Sequence, residues 1–482
     1  MSLEGFRCKN PYEILSKNEV EMIHQGSLEI LSETGMTVDH EQSRKILEQG
    51  GCSVDHEKQL VKFPTDIVEW AIAQCPDSFF VRARNPDLTL HLGGEAIYFA
   101  SFPGFTWLDP KTQMRRVATV EDCAKLVRLC DALPMVHTLC QPVAHLGDKP
   151  PEIELEWVHA TELRNTDKTI MGTAFGGSSK WVVRMVEATD QQTLGGICIS
   201  SPLVIPSDQA QGIIDYAVSG NPQMILSGPS KGATGPATMA GTLVLQNTEI
   251  LGGIVLAQMA NPGCGVLYTG YSTPMDMRYG TMASGAAEVG IMAVGTAQLA
   301  RYYGMPSGVF YPMTDAKTPD PQAVFEKHLQ TYLCATAGVN YIMPLGGLDN
   351  EGTHSPTQMV IDNEVCKMVG KVLEGIKVDR EHLAIDLIKQ VGPVPGNYLR
   401  TEHTRGHWQE EYLLSDVVVR EEYNAWVLGG ERGILERAAE VAIHLMDTHE
   451  PNSLPPEADK ELGKILLAAE KEKIGAISGG AS

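Results

Sequence analysis

Short apolar runs alternate with helix-like stretches through the middle of the chain. Eight such runs cover residues 97–102, 135–143, 169–175, 195–201, 223–228, 263–271, 307–313 and 339–346. Most are rich in β-branched or other apolar residues, with Gly, Ser or Pro at or near an end. Strands alternating with helical patterns make βαβ units and a parallel sheet. Eight units predict an α/β protein whose sheet closes into a (β/α)8 TIM barrel, with its chemistry at the C-terminal strand ends. Cap chemistry supports the pattern. Thr119-Val120-Glu121-Asp122, Ser207-Asp208, Asp320-Pro321 and Ser355-Pro356 each open a helical stretch just after a predicted strand. Gly338 and Gly375 close two of them.

The 482 residues exceed a bare barrel of roughly 250. The surplus predicts an N-terminal α+β cap over 1–95, the barrel over 96–376, and a C-terminal helical extension over 377–482 packed on the barrel. In the cap, residues 12–50 look helical, with a capping box at Ser16-Lys17-Asn18-Glu19 and a further short helix over 41–48. A strand over 58–63, a helix over 64–75 and a hairpin pairing 79–84 with 88–92 follow. The extension reads as helices over 380–389, 403–413 and 423–448, then a charged tail from Glu457 whose last four residues, 479–482, are expected to be mobile.

A net charge of −22 argues against nucleic acid or an anionic membrane surface as partner. The first seven residues carry no apolar secretion segment, and no apolar run reaches 18 residues without polar interruption, so no membrane span is expected. Ten cysteines occur without a CxxC pair; Cys130, Cys140, Cys198, Cys264, Cys334 and Cys366 sit in apolar contexts. They read as buried thiols of a cytoplasmic protein. Large barrels often associate, so a homo-oligomer is one expectation.

Familiar cofactor chemistry is missing. There is no GxxxxGK[ST], no GxGxxG with a following acidic residue and no HExxH. His137 and His145 bracket Cys140 but read as polar residues of a strand facing the barrel mouth, so no metal is expected. There is no DxHxxG, the sequence with which corrinoid-carrying domains ligate cobalt. What the strand ends carry instead is aromatic. Only 6% of residues are aromatic, yet Tyr98, Phe99, Phe102, Phe105 and Trp107 cluster after the first run. Tyr268 and Tyr271 precede Asp276 and Arg278 after the sixth. Phe310 and Tyr311 precede Asp315 and Lys317 after the seventh. Tyr341, Asp349, Asn350, Glu351 and His354 follow at the eighth. Many such rings fill cores, but a ring of them at a barrel mouth suits a quaternary ammonium held by cation–π attraction.

Several motifs resemble one family. Met275-Asp276-Met277-Arg278-Tyr279-Gly280 looks like its Met-Asp-Met-Arg-x-Gly loop. Asp315-Ala316-Lys317-Thr318-Pro319-Asp320-Pro321-Gln322-Ala323 with Phe325-Glu326-Lys327 looks like its Asp-Ser-Lys-x-Pro-Asp-x-Gln-Ala-x-Tyr-Glu-Lys helix start. Leu108-Asp109, Arg116-Val117-Ala118-Thr119, Leu373-Glu374-Gly375-Ile376 and Thr401-Glu402-His403-Thr404 look like further signatures. The chain thus resembles the trimethylamine methyltransferase (MttB) superfamily over nearly its whole length. The resemblance implies a barrel that moves a methyl group from an amine to the Co(I) of a separate corrinoid protein, with no cofactor bound by this chain. The founding enzymes carry pyrrolysine near the end of the seventh strand. This chain has only ordinary residues, with Tyr311-Pro312-Met313-Thr314 in that neighbourhood. It therefore resembles the non-pyrrolysine branch, which acts on quaternary amines: glycine betaine, the leading expectation, then proline betaine or carnitine.

The substrate-binding candidates are accordingly Phe102, Phe105, Trp107, Tyr268, Tyr271, Tyr311, Met313 and His354. His354, just before a helix start, is the candidate anchor for a betaine carboxylate. Asp276, Arg278, Asp315 and Lys317 are supporting candidates, and no single residue stands out as catalytic. Three readings compete: a Schiff-base lyase using Lys317, a non-catalytic betaine-binding protein, and a zinc-dependent methyltransferase of the methanol type.

Overall fold

A computed structural model describes residues 5–479. All eight predicted runs are parallel strands: β1 Ala96–Ser101, β2 Thr138–Cys140, β3 Thr169–Thr173, β4 Thr193–Ile199, β5 Gln223–Ser227, β6 Val266–Gly270, β7 Ser307–Val309 and β8 Tyr341–Leu345. Each pairs with the next, and β8 pairs back onto β1 through Tyr341↔Tyr98 and Ile342↔Phe99, closing the barrel. A helix follows every strand. Thr119 caps the first with a reciprocal Asp122 contact. Asp320 accepts from the Ala323 N–H, and Ser355 from the Gln358 N–H, each ahead of a Pro at the first turn. Ser207 differs from the expected start: it already lies within its helix, whose preceding residue, Pro206, offers no side-chain cap.

Side chains alternate across each strand. On β3 and β4 the outward positions Gly172 and Gly195 lie beneath the ring of Tyr216, whose hydroxyl donates to the Thr173 carbonyl at 2.7 Å. A Cβ on Gly195 would stand 2.3 Å from Cδ2 of that ring. Gly195→Val should therefore lower stability by about 1–3 kcal/mol through overpacking, read as a fall in the denaturant midpoint with an unchanged slope.

Before the barrel, Ser16 and Glu19 form the expected capping box of helix Lys17–Glu33. Two short strands absent from the sequence expectation, Met36–Val38 and Ser53–Asp55, join Leu60–Lys62 and Val204–Ile205 in a four-stranded sheet. The hairpin forms between Ser78–Val81 and Leu90–Gly93. Phe6–Arg7 adds antiparallel to the start of β1. Helix Met239–Ala260 is long and apolar enough to cross a bilayer, but it is buried core, and Gln246, Asn247 and Glu249 interrupt its apolar run. After the barrel, the single helix expected over 423–448 is two, Tyr423–Leu428 and Ile434–Thr448, broken at Gly429-Gly430. The charged tail is helix Pro456–Gly479. Residues 480–482 of the expected mobile end, and 1–4 of the start, lie outside the described residues.

Candidate functional site

The barrel encloses a cavity of about 530 Å³ at the C-terminal strand ends. Inward positions make room for it with small residues: Cys140 on β2, Thr173 on β3, Gly196 and Cys198 on β4. Met171, Met224 and Leu226 form its apolar floor. Phe105, Phe175 and His145 line it while roughly half-exposed, so it opens to solvent. Tyr271 and Phe310 form an aromatic corner, their ring centroids 5.1 Å apart and nearly perpendicular. Gly228 permits this corner, since a Cβ there would stand 2.4 Å from Cδ1 of Tyr271.

The charge of the cavity is one-sided. Among the described residues, no Lys or Arg lines it, whereas Glu154 and Glu351 do. Glu154 is committed: its carboxylate meets His145 Nδ1 at 2.7 Å and accepts from the Leu146 N–H at 2.9 Å. Among the described residues, the Glu351 carboxylate accepts only from the Tyr271 hydroxyl. Burial pushes the Glu351 carboxyl up to about 7, with the Tyr271 hydrogen bond pulling the other way. Burial, then the Glu351 charge, drives the Tyr271 hydroxyl well above its usual range. Burial likewise pushes the Cys198 thiol up to about 12, so no thiolate nucleophile is present at neutral pH. Gln141, also in the wall, sits 2.9 Å from His159, which in turn meets the buried Glu162 at 2.8 Å.

Glu351 is held in place by an unusual loop. Asp349, Asn350 and Glu351 have φ of 54°, 50° and 69°, three consecutive non-glycine residues in the left-handed region. Such residues persist where the surroundings over-determine them. Here Arg115 and Lys317 pair with the Asp349 carboxylate, and the Asn350 N–H donates to the Thr314 carbonyl at 3.0 Å. The Phe105 N–H donates to the Glu351 carbonyl at 3.0 Å, tying the loop after β8 to the loop after β1. At the base, the buried pair Lys327–Asp362 grips both peptides of the chain leaving β8. Asp362 accepts from the Gly346 N–H at 2.8 Å, and Lys327 donates to the Gly347 carbonyl at 2.9 Å.

Of the residues expected from sequence, Phe105 and Tyr271 line the cavity. Phe102 stands behind its wall, 5.1 Å from the Phe310 ring. Tyr311 stacks behind Tyr271 at 6.1 Å and donates to the Ser272 carbonyl. Met313 is buried, its N–H bound to Gln330. Tyr268 points outward to the helices, its hydroxyl bound to Asn247 at 2.8 Å. Trp107 lies in a small sheet over the mouth, with Arg116 above its ring at 5.6 Å.

His354 pairs with Trp107 in that sheet, fully buried, with neither ring nitrogen bonded. Burial, then nearby Lys327, pushes it down to about 3, so it is neutral; it is not among the residues that line the cavity. His137 is held between Tyr98 and Phe99, its Nδ1 accepting from the Phe99 N–H at 2.8 Å. Asp276, Asp315 and Lys317 border a separate cleft of about 410 Å³, while Arg278 pairs with Asp276 at 2.6 Å on an exposed hairpin tip. Lys317 is exposed and paired with Asp349, outside the cavity where a Schiff-base lysine would have to act.

These features belong to a family. Residues 4–475 match the trimethylamine methyltransferase (MTTB) family. The chain belongs to it. Trimethylamine methyltransferase MttB of Desulfitobacterium hafniense (strain DSM 10664 / DCB-2) is 36% identical, over 86% of this chain and 85% of that protein. Glycine betaine methyltransferase of D. hafniense (strain Y51) is 29% identical, over 96% and 98%. The crystal structure of the hydroxylamine complex of MtmB superposes with a TM-score of 0.50 at 12% identity, covering 97% of this chain and 96% of that one, a likeness of fold. The chain is thus a methyltransferase of the MTTB family, whose members methylate a corrinoid protein.

Proposed function

We propose that this chain transfers a methyl group from a quaternary ammonium cation to the Co(I) of a separate corrinoid protein. One observation carries the reading: an open, largely apolar cavity whose only uncommitted charge among the described residues is the Glu351 carboxylate, set beside the Tyr271–Phe310 corner. The corrinoid, a second substrate, supplies the nucleophile. Transfer breaks one N–CH3 bond, leaves its electron pair on nitrogen and forms the bond to cobalt. The departing amine is neutral at nitrogen, so no proton has to move. The chain's own work is to desolvate the cation, hold it by ring faces and carboxylate, and turn one methyl toward the mouth.

The resemblance points first to glycine betaine. Its carboxylate would meet no Lys or Arg in this cavity, His145 is engaged by Glu154, and His354 is neutral and elsewhere. We therefore favour a quaternary cation without a carboxylate over a betaine. A second reading, trimethylamine, is favoured by the 36% identical relative and by a carboxyl poised near neutrality. A tertiary amine gives up a methyl only when it is protonated at nitrogen, so that the neutral secondary amine departs, and Glu351 can accept a hydrogen bond from that N–H.

The test is appearance of methyl-Co(III) absorbance with a reduced corrinoid protein and a panel of tetramethylammonium, glycine betaine and trimethylamine. Turnover of tetramethylammonium well above glycine betaine supports the reading; a strict preference for glycine betaine rejects it. The pH dependence gives a further check. The raised carboxyl is neutral below about 7 and charged above it. The Kd for tetramethylammonium should fall by about tenfold as pH rises from one unit below that value to one unit above. Glu351→Gln should flatten the curve.

A further inference from the structure

Behind one wall of the cavity lies a buried carboxylate that, among the described residues, no Lys or Arg neutralises. Glu162 and His159 share one face of helix Glu154–Asn165, and both are fully buried. Glu162 Oε2 lies 2.8 Å from His159 Nδ1, and Glu162 Oε1 has no partner. Taking a carboxylate out of water is costly. Here its one ion-pair contact leads straight to the cavity. His159 Nε2 lies 2.9 Å from the amide nitrogen of Gln141, and Gln141 lines the cavity.

The chemistry of these groups fixes the direction of each bond. The carboxylate oxygen accepts, so the proton of His159 sits on Nδ1. An imidazolium would also point an N–H at the amide nitrogen, which cannot accept it. The ring is therefore neutral, and Nε2 is the acceptor. The Gln141 amide must then turn its N–H toward Nε2 and its oxygen away. Among the described residues nothing donates to that oxygen, and it is not sealed in protein, so it faces the cavity. Burial raises the Glu162 carboxyl, and the His159 contact opposes that rise. A proton held on the unpartnered Oε1 would still leave Oε2 as the acceptor.

We propose, on the strength of the ammonium reading above, that Gln141 helps to select a cation by presenting its carbonyl dipole, and that His159 and Glu162 are positioning residues that fix the sign of that dipole. β2 and β6 are four strands apart in a closed ring of eight. Gln141, next after β2, thus faces Tyr271, next after β6, across the barrel. A cation at the Tyr271–Phe310 corner meets the negative end of the amide from the opposite wall. In a largely apolar cavity such a dipole acts beyond contact range. The polarised methyl C–H groups of a quaternary ammonium are also partners such an oxygen takes. A reversed amide would present N–H donors and repel the same cation. An uncharged molecule of equal shape gains little from either orientation.

That last difference supplies the test. Choline and neohexyl alcohol, its analogue with carbon in place of nitrogen, are titrated by calorimetry into the wild type and Gln141→Leu, without the corrinoid protein. The wild type should prefer choline, and Gln141→Leu should cut the preference by about threefold or more. A packing role would weaken both ligands alike. An unchanged ratio in the variant, beside a wild type that prefers choline, overturns this proposal and spares the ammonium reading. A wild type without the preference overturns both. A second measurement rests on the wild type itself. Ring-nitrogen NMR of isotope-labelled histidine, with the His159 signal assigned by its loss in His159→Gln, should show a neutral ring protonated at Nδ1 at neutral pH. A ring protonated at Nε2, alone or together with Nδ1, overturns the proposal, because the amide oxygen would then be turned toward it.

Discussion

Glu351→Gln is expected to lower kcat/KM for tetramethylammonium by two to three orders of magnitude while leaving the fold intact. The size follows from the site. A partly desolvated charge pair is worth roughly 2–5 kcal/mol when one partner is removed, and each 1.4 kcal/mol is about tenfold in rate. No Lys or Arg of the described cavity wall compensates for Glu351, and Glu154 is already held by His145 and the Leu146 N–H. Glutamine keeps the shape and the acceptor that Tyr271 needs, so the loss reports charge rather than packing.

Stability gives the internal control. Burial raises the folded carboxyl above its unfolded value, so ionising it costs stability as pH rises through about 7. Above that pH the uncharged Gln variant should unfold at equal or higher denaturant than the wild type. Tyr271→Phe separates the two contributions to the corner. It keeps the ring but removes the hydroxyl that lowers the Glu351 carboxyl. Its loss at neutral pH should be partly restored at higher pH, whereas that of Glu351→Gln should not. Near-normal transfer by Glu351→Gln would show that the carboxylate does not hold the cation.

The barrel was legible in the sequence because its signal is repeated eight times and punctuated by helix caps such as Thr119, Asp320 and Ser355. The site was legible only as a region, because nomination by residue type ignores the two-residue period of a strand. Tyr268 and Tyr271 are three positions apart and so face opposite sides: one meets Asn247 among the helices, the other meets Glu351 in the cavity. Phe310 and Tyr311 are neighbours, and the inward one is Phe310. His354 was attractive because it precedes a helix start, but the Trp107 strand beside it turns it into the interior. Glu351 was visible only as one more polar residue of a loop. Asp349 and Asn350 are residue types that tolerate the left-handed region; a following glutamate in the same conformation depends on contacts with Arg115, Lys317 and Thr314 that come from elsewhere in the chain.

The second large effect is expected at the base of that loop. Lys327→Met should destabilise the fold by about 3–5 kcal/mol, because it leaves Asp362 as a fully buried charge without its cation. Asp362 retains only the Gly346 N–H and the Gln358 amide as donors. Removing both charges in Lys327→Met/Asp362→Leu should recover much of that loss, since a buried pair replaced by apolar groups is often near neutral. A double-mutant cycle in denaturant should therefore give a coupling of about 2–3 kcal/mol. Recovery of function should not follow recovery of stability. The apolar pair cannot accept from the Gly346 N–H or donate to the Gly347 carbonyl, and these are the bonds that set the exit angle of the loop carrying Glu351. The double variant should thus keep a raised KM for tetramethylammonium. Its pH midpoint should fall from about 7 toward the ordinary carboxylate range as Glu351 reaches water. A double variant with wild-type KM and an unmoved midpoint would show that the pair supports the barrel alone and has no part in aiming the carboxylate.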